Sequence, residues 1–463
     1  MSQTLHSKLI IMKKLILCTS TLAFSFSALS ADLAEIFKQS ETHDPQLSVA
    51  QYTLEASNEG KKQAFSAFLP QISTTYAKTY SKDKGNSSLA PGFNPSITGE
   101  PERWNFSLSQ SLYNHANYQN YQISDLEILK SSADYDIAYQ DFILRVAQNY
   151  FNVLSAQDNL VFSKAEEKAI QRQLDQAEQR FEVGLAAITD VHEARATFDG
   201  ARARVIVANN SLEDANEALF EISQKYYPEL ALVPDELKFD DFSIQSLDFF
   251  QDTGNLQNPE LISSKVAKDI AEKRISVSKA GHYPELSLSF SRNQSFSPGS
   301  IISQLDPETG TPIQINSGDR ISNGTSVSLN LSVPIYSGGR TSSQVRQSAL
   351  QHKAAMDRYE QTRRSTIRNI RNSYHGFNAA KSSIEARKLA MVSAQSGLEA
   401  TEAGYEVGTR TIVDVLISQQ RLYQAQGDYS KAKYDYFIQF LSLKRAAGNL
   451  SETDILTINK ILK

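Results

Sequence analysis

The chain has 463 residues, of which 40% are hydrophobic and 21% charged, and its formal net charge is −5. This length and hydrophobic content allow sizeable buried cores and one to three domains. A mildly acidic chain is a poor partner for nucleic acid, because phosphate binding requires a basic surface.

The N-terminus has the pattern of a secretory signal peptide over residues 1–31. Lys13-Lys14 stand before an apolar run over 15–29, and Ser30-Ala31 offers the small residues that a signal peptidase accepts. The apolar run is short for a transmembrane helix, so we expect export rather than a membrane anchor. Met12 is an alternative start that leaves the pattern intact.

The single cysteine, Cys18, lies inside this segment. Cleavage therefore leaves a mature chain without disulfide bonds or thiolate metal sites. It also removes three lysines and no acid, which moves the formal charge from −5 to −8. No other apolar run approaches membrane-spanning length, so any entry into a bilayer must use β-strands.

Two copies of one short sequence motif lie 224 residues apart: 181–191 reads FEVGLAAITDV and 405–415 reads YEVGTRTIVDV. Gly184 and Gly408 occupy the same place in both. Glycine adopts a positive φ without steric cost, which is typical of a tight turn between two helices. The repetition predicts an internally duplicated chain.

Other landmarks follow the same plan. Asp44-Pro45 and Asn258-Pro259 begin matching segments, and a Pro- and Gly-rich stretch at 306–312 marks a longer loop in the second half. Each half reads as helix, strand, loop, strand, long helix, glycine tip and return helix. The predicted divisions are a first repeat at 32–225, an inter-repeat linker at 226–257, a second repeat at 258–447 and a C-terminal tail at 448–463.

Four segments alternate apolar and polar residues, as half-buried strands do: 72–80, 104–113, 284–291 and 327–335. A sheet on a soluble core shows the same alternation. A length of about ten residues and aromatic residues near the ends favour transmembrane strands. Four strands cannot close a β-barrel, and an open edge is not tolerated in lipid. Oligomerisation is therefore required, and three chains would supply twelve strands.

The predicted helices are longer than a globular domain needs. Residues 114–183 contain neither Pro nor Gly, and 341–407 contain no Pro. About 70 helical residues extend about 100 Å. The return helices, 188–225 and 412–447, are about half as long, so short helices near 32–66 and 258–281 must stack end to end with them. The sparse apolar residues suit a wall between two aqueous spaces, or alternatively a solvated coiled-coil stalk.

The chain resembles the TolC family of outer-membrane channel-tunnels. The resemblance is carried by the two tip motifs, the paired Asx-Pro-x-Leu segments and the four strands. The resemblance implies a mainly α fold with a β-barrel portion: a homotrimer with a twelve-stranded barrel in outer-membrane lipid and an α-helical tunnel in the periplasm. It further implies docking, through a periplasmic adaptor protein, onto an inner-membrane RND or ABC transporter. Such a duct exports drugs, bile-salt-like amphiphiles or proteins, uses no cofactor and catalyses no reaction.

The resemblance also implies roles for particular residues. Tyr405 and Arg410 match the pair that ties the inner coiled coil to the outer one, and Thr189 and Asp190 match their acceptors. Bonds from a tyrosine hydroxyl and an arginine to a carboxylate are suited to holding helices in a closed state. The family's adaptor-docking tips correspond to Val183, Gly184, Leu185, Val407, Gly408 and Thr409.

One position departs from the family pattern. Well-studied members carry a second aspartate three residues after the one that matches Asp414, and here that position is Ile417. A symmetric trimer would keep one ring of carboxylates at the pore constriction and gain an apolar ring. We therefore expect weaker block by cations at the entrance.

Two other classes of protein share part of this pattern. A periplasmic coiled-coil adaptor or scaffold without channel activity would share export and long helices but not the four strands. A cell-envelope enzyme would need a convergent cluster of titratable groups, and no such motif is present. The histidines are scattered without metal-ligand spacing, so we expect no metal site.

Overall fold

A computed structural model describes residues 30–84, 96–234, 244–297, 299, 301–305, 308–316 and 318–462. The predicted signal peptide, including Cys18, lies outside these residues except for positions 30 and 31. Ala31 is buried, and its backbone pairs with the segment at Leu230. The boundary of the predicted signal peptide at 1–31 stays a prediction.

The order of elements follows the predicted plan. The helices are α1 (Leu33–His43), α2 (Pro45–Ser66), α3 (His115–Glu182), α4 (Ile188–Ser223), α5 (Leu247–Gln257), α6 (Pro259–Lys279), α7 (Arg340–Glu406), α8 (Ile412–Ala447) and α9 (Glu452–Asn459). The strands are β1 (Gln71–Lys78), β2 (Ser81–Lys84), β3 (Ser96–Gly99), β4 (Glu102–Tyr113), β5 (Glu285–Ser297), β6 (Ile301–Leu305), β7 (Pro312–Asn316) and β8 (Arg320–Ser332). This mainly helical fold with internal duplication confirms those parts of the predicted fold class, and the barrel completed by a homotrimer stays a prediction.

The predicted single helix over 32–66 is in fact two helices that meet at Asp44. The backbone of Asp44 is extended, because the residue before a proline is driven out of the helical region. Pro45 then begins α2, where its missing N–H costs nothing. Asn258 and Pro259 repeat this break between α5 and α6, so the duplication extends back into the predicted linker.

The described chain forms two compact units. The first comprises the residues up to Val49, Ala138–Asn258 and Thr366–Lys463. Its core is aromatic: the rings of Phe151 and Phe437 stack with centroids 5.2 Å apart. The C-terminal helix α9 joins this unit through the Asn459 amide, which donates to Asp32 at 2.9 Å. The tail, which the sequence left without a structural prediction, therefore packs against the first helix of the chain.

The second unit comprises Ala50–Ile137 and Pro259–Ser365 and contains the sheets. Its four-stranded antiparallel sheet has the order β1-β4-β5-β8. The register aligns an apolar row on one face: Ile72, Leu108, Phe290 and Val327. One residue along, it aligns a serine row on the other face: Ser73, Ser107, Ser291 and Ser326. Serine hydroxyls bond in pairs along that row, at 2.7 and 2.9 Å. The predicted amphipathic strands are therefore confirmed.

The strands differ from prediction at their ends. β5 continues to Ser297 and β8 begins at Arg320, where polar residues on both faces hide the alternation. β8 stops at Ser332, before Pro334, which has no N–H for a ladder bond. The pairs β2–β3 and β6–β7 form separate two-stranded sheets. None of the helices in the described ranges has both the length and the apolar character needed to cross a membrane.

Candidate functional site

The two helical hairpins of the first unit end in tips with the same backbone geometry. Gly184 has a φ of +75° and Gly408 a φ of +79°. The N–H of Leu185 donates to Arg180 O at 2.7 Å, and the N–H of Thr409 donates to Gly404 O at 2.8 Å. These bonds close a Schellman-type C-cap, in which a left-handed glycine ends the helix. The predicted glycine turns are therefore present in both repeats.

Apolar side chains project from both tips into solvent. Val183, Leu185 and Val407 are 69%, 78% and 76% exposed, and Thr409 is exposed beside them. Nothing lies within 4 Å of where a side chain would begin on either tip glycine. Exposed apolar groups clustered in this way are typical of a surface that meets another protein. The six residues predicted to dock an adaptor all lie here, and docking itself stays a prediction.

The return helices begin differently in the two tips. Thr411 caps α8: its hydroxyl accepts from the Asp414 N–H at 3.3 Å, and Asp414 Oδ2 accepts from the Thr411 N–H at 2.9 Å. This reciprocal pair is a capping box. The counterpart of Thr411 is Ala187, which cannot cap α4 with its side chain. The carboxylate of Asp190, the counterpart of Asp414, is therefore not held by a cap.

The capping box also sets the ionisation of Asp414. Hydrogen bonds from the backbone and the hydroxyl of Thr411, with a smaller effect of the positive charge on Arg410, lower the pKa of the Asp414 carboxyl below 3.8. Ile417 lies one turn further along α8 and is 41% exposed, whereas Val415 and Leu416 are buried. The predicted constriction therefore combines a carboxylate bound to its own helix start with an exposed apolar side chain.

Tyr405 lies where two apolar clusters of the tip region meet. It packs against the cluster that contains Val191 and Ile412, and against a second one that contains Val415. The guanidinium carbon of Arg180 lies 4.6 Å from the centre of the Tyr405 ring. This cation–π contact joins the last turn of α3 to the last turn of α7.

The structure brings the four predicted latch residues to one region without bonding them to each other. Asp190 adjoins Val191 of the same cluster, while Thr189 and Arg410 are exposed. Within the described protomer, no hydrogen bond or ion pair joins Tyr405 or Arg410 to either acceptor. The latch therefore stays a prediction.

A polar cavity of about 430 Å³ flanks the Arg180–Tyr405 contact. It is lined by three glutamines of α3 and two glutamates of α7: Gln173, Gln176, Gln179, Glu402 and Glu406. The part of the chain that the structure describes contains no group of three or more residues placed to hold a metal ion.

Three residues at the tips were not singled out as site residues from the sequence: Arg180, Gly404 and Thr411. Arg180 and Gly404 are counterparts at the 224-residue offset, and so are Ala187 and Thr411. Such differences between otherwise matching repeats are the signal that could have identified all three. The contacts of these residues depend on the tertiary structure, however, and an alignment of the two motifs does not predict them.

Comparison with known proteins agrees with this architecture. The sequence profile of the family described as outer membrane efflux protein matches residues 36–223 and 255–449, one match in each repeat. Outer membrane protein TolC of Vibrio cholerae is 36% identical over 455 residues, which cover 98% of this chain and 99% of the relative. The alkaline protease secretion protein AprF of Pseudomonas aeruginosa is 27% identical, over 89% of this chain and 83% of its own.

Solved structures share the fold at lower sequence identity. The outer membrane channel CmeC of Campylobacter jejuni superimposes with a TM-score of 0.72 at 19% identity, covering 93% of this chain and 90% of its own. CusC superimposes with a TM-score of 0.70 at 16% identity, covering 90% and 92%. These relatives are channels and secretion proteins rather than enzymes. With its profile matched in both repeats and a relative of 36% identity over nearly its full length, the chain belongs to the outer membrane efflux protein family.

Proposed function

We propose that this outer-membrane protein is a passive exit duct that serves tripartite efflux pumps and type I protein secretion. The observation that carries the proposal is the 36% identity to an outer membrane protein along 98% of the chain, which includes both hairpin tips and all four strands of the main sheet. The duct conducts cargo and catalyses no reaction. Cargo enters at the periplasmic tips and leaves through the sheet region.

The main sheet supports a trimer. β1 and β8 are the outer strands of the sheet β1-β4-β5-β8, so among the residues that the structure describes each has one edge without a neighbouring strand. The apolar row through Val327 suits lipid, and the serine row suits a hydrated interior. Pairing β1 of one copy with β8 of the next satisfies both edges, and three copies close a twelve-stranded sheet.

The tips support a gate. Tyr405 and Arg410 bind Thr189 and Asp190 when the assembled mouth is closed, and opening breaks these bonds so that the inner hairpins move outward. Two features support these roles: the Asp190 carboxylate is not held by a cap, and the Arg410 side chain is exposed. A charge-assisted bond from arginine to a carboxylate is strong enough to favour the closed state of the gate.

The test is single-channel conductance in planar bilayers, with wild type compared with Tyr405→Phe plus Arg410→Ser. We expect a small wild-type conductance that rises sharply in the double variant. Tyr359→Phe plus Arg358→Ser changes the same residue types in the N-terminal part of α7, away from the tip, and should leave the conductance unchanged. A conducting pore that the latch variant does not alter would place the gate elsewhere, and a protein that forms no pore would contradict the duct.

The exposed tips support docking of a periplasmic adaptor, which in turn binds an inner-membrane RND or ABC transporter. The apolar side chains Val183, Leu185 and Val407 are the natural contacts. Removal of the signal peptide would leave no cysteine in the mature chain, so Leu185→Cys or Val407→Cys would give a single labelling site. Cross-linking of these variants to the adaptor is expected, whereas Val161→Cys, exposed on α3 well before the tip, should give none.

The constriction supports weak cation block. One carboxylate per protomer is present at Asp414, and its Oδ2 already accepts bonds from Thr411. Ile417 adds an apolar ring in the trimer. Trivalent-cation block in bilayers should be weak in wild type and become tight in Ile417→Asp. Tight block of the wild-type channel would contradict this role of the two positions.

A further inference from the structure

The strongest unexplained feature of the tips is the way Arg410 lies against Gly404. A Cβ placed on Gly404 would be 2.8 Å from Arg410 Cγ and 3.3 Å from Thr409 Oγ1. The first distance is well inside van der Waals contact. Gly404 belongs to the last turn of α7 and has no left-handed backbone angle, so its conformation alone would accept any residue. Glycine is therefore required at 404 because a side chain would have no room beside Arg410, and not because of the backbone conformation.

The carbonyl of Gly404 fixes the segment that carries Arg410. It accepts from the Thr409 N–H at 2.8 Å, from the Arg410 N–H at 3.2 Å and from the Thr409 hydroxyl at 3.0 Å. The bare α-carbon and the carbonyl of one residue thus hold both the backbone and the aliphatic stem of Arg410. The aliphatic stem of Arg410 lies against α7 at Gly404, and this contact fixes the position from which the guanidinium extends.

The other repeat provides an internal comparison. The counterpart of Gly404 is Arg180, whose carbonyl accepts from Leu185 in the equivalent C-cap bond. A full side chain is accommodated there because the counterpart of Arg410 is Ala186, which has no stem to lay against the helix. The two pairs of positions are therefore complementary in size. The first repeat has a large Arg180 and a small Ala186, whereas the second has Gly404 and a large Arg410.

We infer that Gly404 is a positioning residue for the gate, and that closure depends on the absence of a side chain at this position. The inference rests on the proposed latch role of Arg410. Any side chain at 404 displaces the Arg410 stem from α7 and so changes the position from which the guanidinium reaches the acceptors of the proposed latch. The effect on the gate passes entirely through Arg410.

The experiment compares Gly404→Ala with Gly397→Ala in the full-length trimer. Gly397 lies in the same helix one heptad earlier, and nothing lies within 4 Å of a Cβ placed there. Alanine favours helix over glycine at both positions, so a purely local helix effect would stabilise both variants alike and leave conductance unchanged. We expect Gly404→Ala to raise single-channel conductance to that of Arg410→Ala, and Gly397→Ala to match wild type.

Adding Gly404→Ala to Arg410→Ala should cause no further rise, because the side chain through which Gly404 acts is already absent. If Arg410→Ala opens the channel but Gly404→Ala does not, the inference is overturned while the latch stands. If neither variant opens the channel, the latch itself is refuted and the inference falls with it. An additive rise in the double variant would also overturn the inference, since it would show that Gly404 acts independently of Arg410.

Discussion

The α3–α4 tip and the α7–α8 tip follow one backbone path with different side chains. Both have a glycine with φ near +75° to +79°, and both close with the same carbonyl bond at 2.7 and 2.8 Å. Their side chains differ at several paired positions, and three of these pairs change the contacts described above: 180 and 404, 186 and 410, and 187 and 411. The backbone was retained because only glycine enters that angle cheaply, whereas the side chains around it were free to diverge.

The divergence separates two roles. The α7–α8 tip holds its own carboxylate in a capping box and lays Arg410 against Gly404. The α3–α4 tip leaves the Asp190 carboxylate uncapped and directs Arg180 onto the Tyr405 ring. In the latch proposed above, the α7–α8 tip supplies the cation, Arg410, and the α3–α4 tip supplies the anion, Asp190. The two tips can take these different roles because their side chains differ while the turn is the same.

The shared glycines give the largest expected effect. Gly184→Ala and Gly408→Ala should each destabilise their tip by about 1–2 kcal/mol, because an alanine in the left-handed region crowds its own backbone. Hydrogen exchange of the tip amides should increase equally in the two variants. Gly60→Ala, an open helical site without a positive φ, is the control and should not increase exchange. Unequal losses at the two tips would contradict a shared backbone requirement.

Exchanging the caps tests the difference between the tips. Thr411→Val keeps the side-chain shape but loses the cap, and should weaken the start of α8 by about 1 kcal/mol. Ala187 has the same extended backbone as Thr411, so Ala187→Thr should create a capping box with Asp190 and stabilise α4 by about as much. Hydrogen exchange in the first turn of each helix measures both changes.

The new cap should also affect the gate. In Ala187→Thr the Asp190 carboxylate is drawn to its own helix start, so the closed state loses an acceptor and conductance should rise. Ala187→Val adds similar bulk without a hydroxyl and is the matched control. Equal conductance in the threonine and valine variants would mean that Asp190 does not act as a latch acceptor.

The contact between Arg180 and Tyr405 should contribute less. A cation–π pair at a partly exposed site is worth about 0.5–1 kcal/mol. Arg180→Gln should therefore loosen the last turns of α3 and α7 slightly, and Arg180→Lys should retain part of the contact. A double-mutant cycle with Tyr405→Leu isolates the pairwise energy. A coupling energy of zero would show that the two side chains are neighbours without interaction.

The smallest effect is a pH dependence specific to the α7–α8 tip. The folded-state pKa of Asp414 lies below its ordinary value of 3.8, so the ionised form stabilises the fold above that pH. This stabilisation is lost as the pH falls through the lowered pKa. Pepsin cleavage at the tip should therefore increase in wild type as the pH falls below about 4. Thr411→Val should lessen this pH dependence, since the hydroxyl bond that lowers the pKa is gone.

Local signals in the sequence were enough to predict most elements. The near absence of Pro and Gly predicts the long helices, and the motif that occurs twice predicts the two tips. The strands were predicted from alternation, which failed at the ends of β5 and β8 where both faces become polar. Register followed only from the structure, because pairing one strand with another is not a local property.

The sequence was less informative where distant segments meet. The C-terminal tail has no distinctive motif, yet α9 buries Ile455 and Ile458 and bonds to Asp32 near the other end of the chain. The helical pattern continues on both sides of Pro45, so the sequence predicts one helix where the structure has a break at Asp44. Packing of α9 on α1 joins residues more than 400 positions apart. No short-range pattern encodes a contact of that separation.

By itself, the sequence determined that the chain is duplicated, that glycine ends its long helices and that its strands are two-faced, because each of these depends on neighbouring residues. The tertiary structure alone decided what the tips do with that plan. It placed Arg180 on Tyr405, laid Arg410 across Gly404 and closed the Thr411–Asp414 cap while leaving Asp190 open. These arrangements depend on the space between side chains, and space is a property of the packed fold.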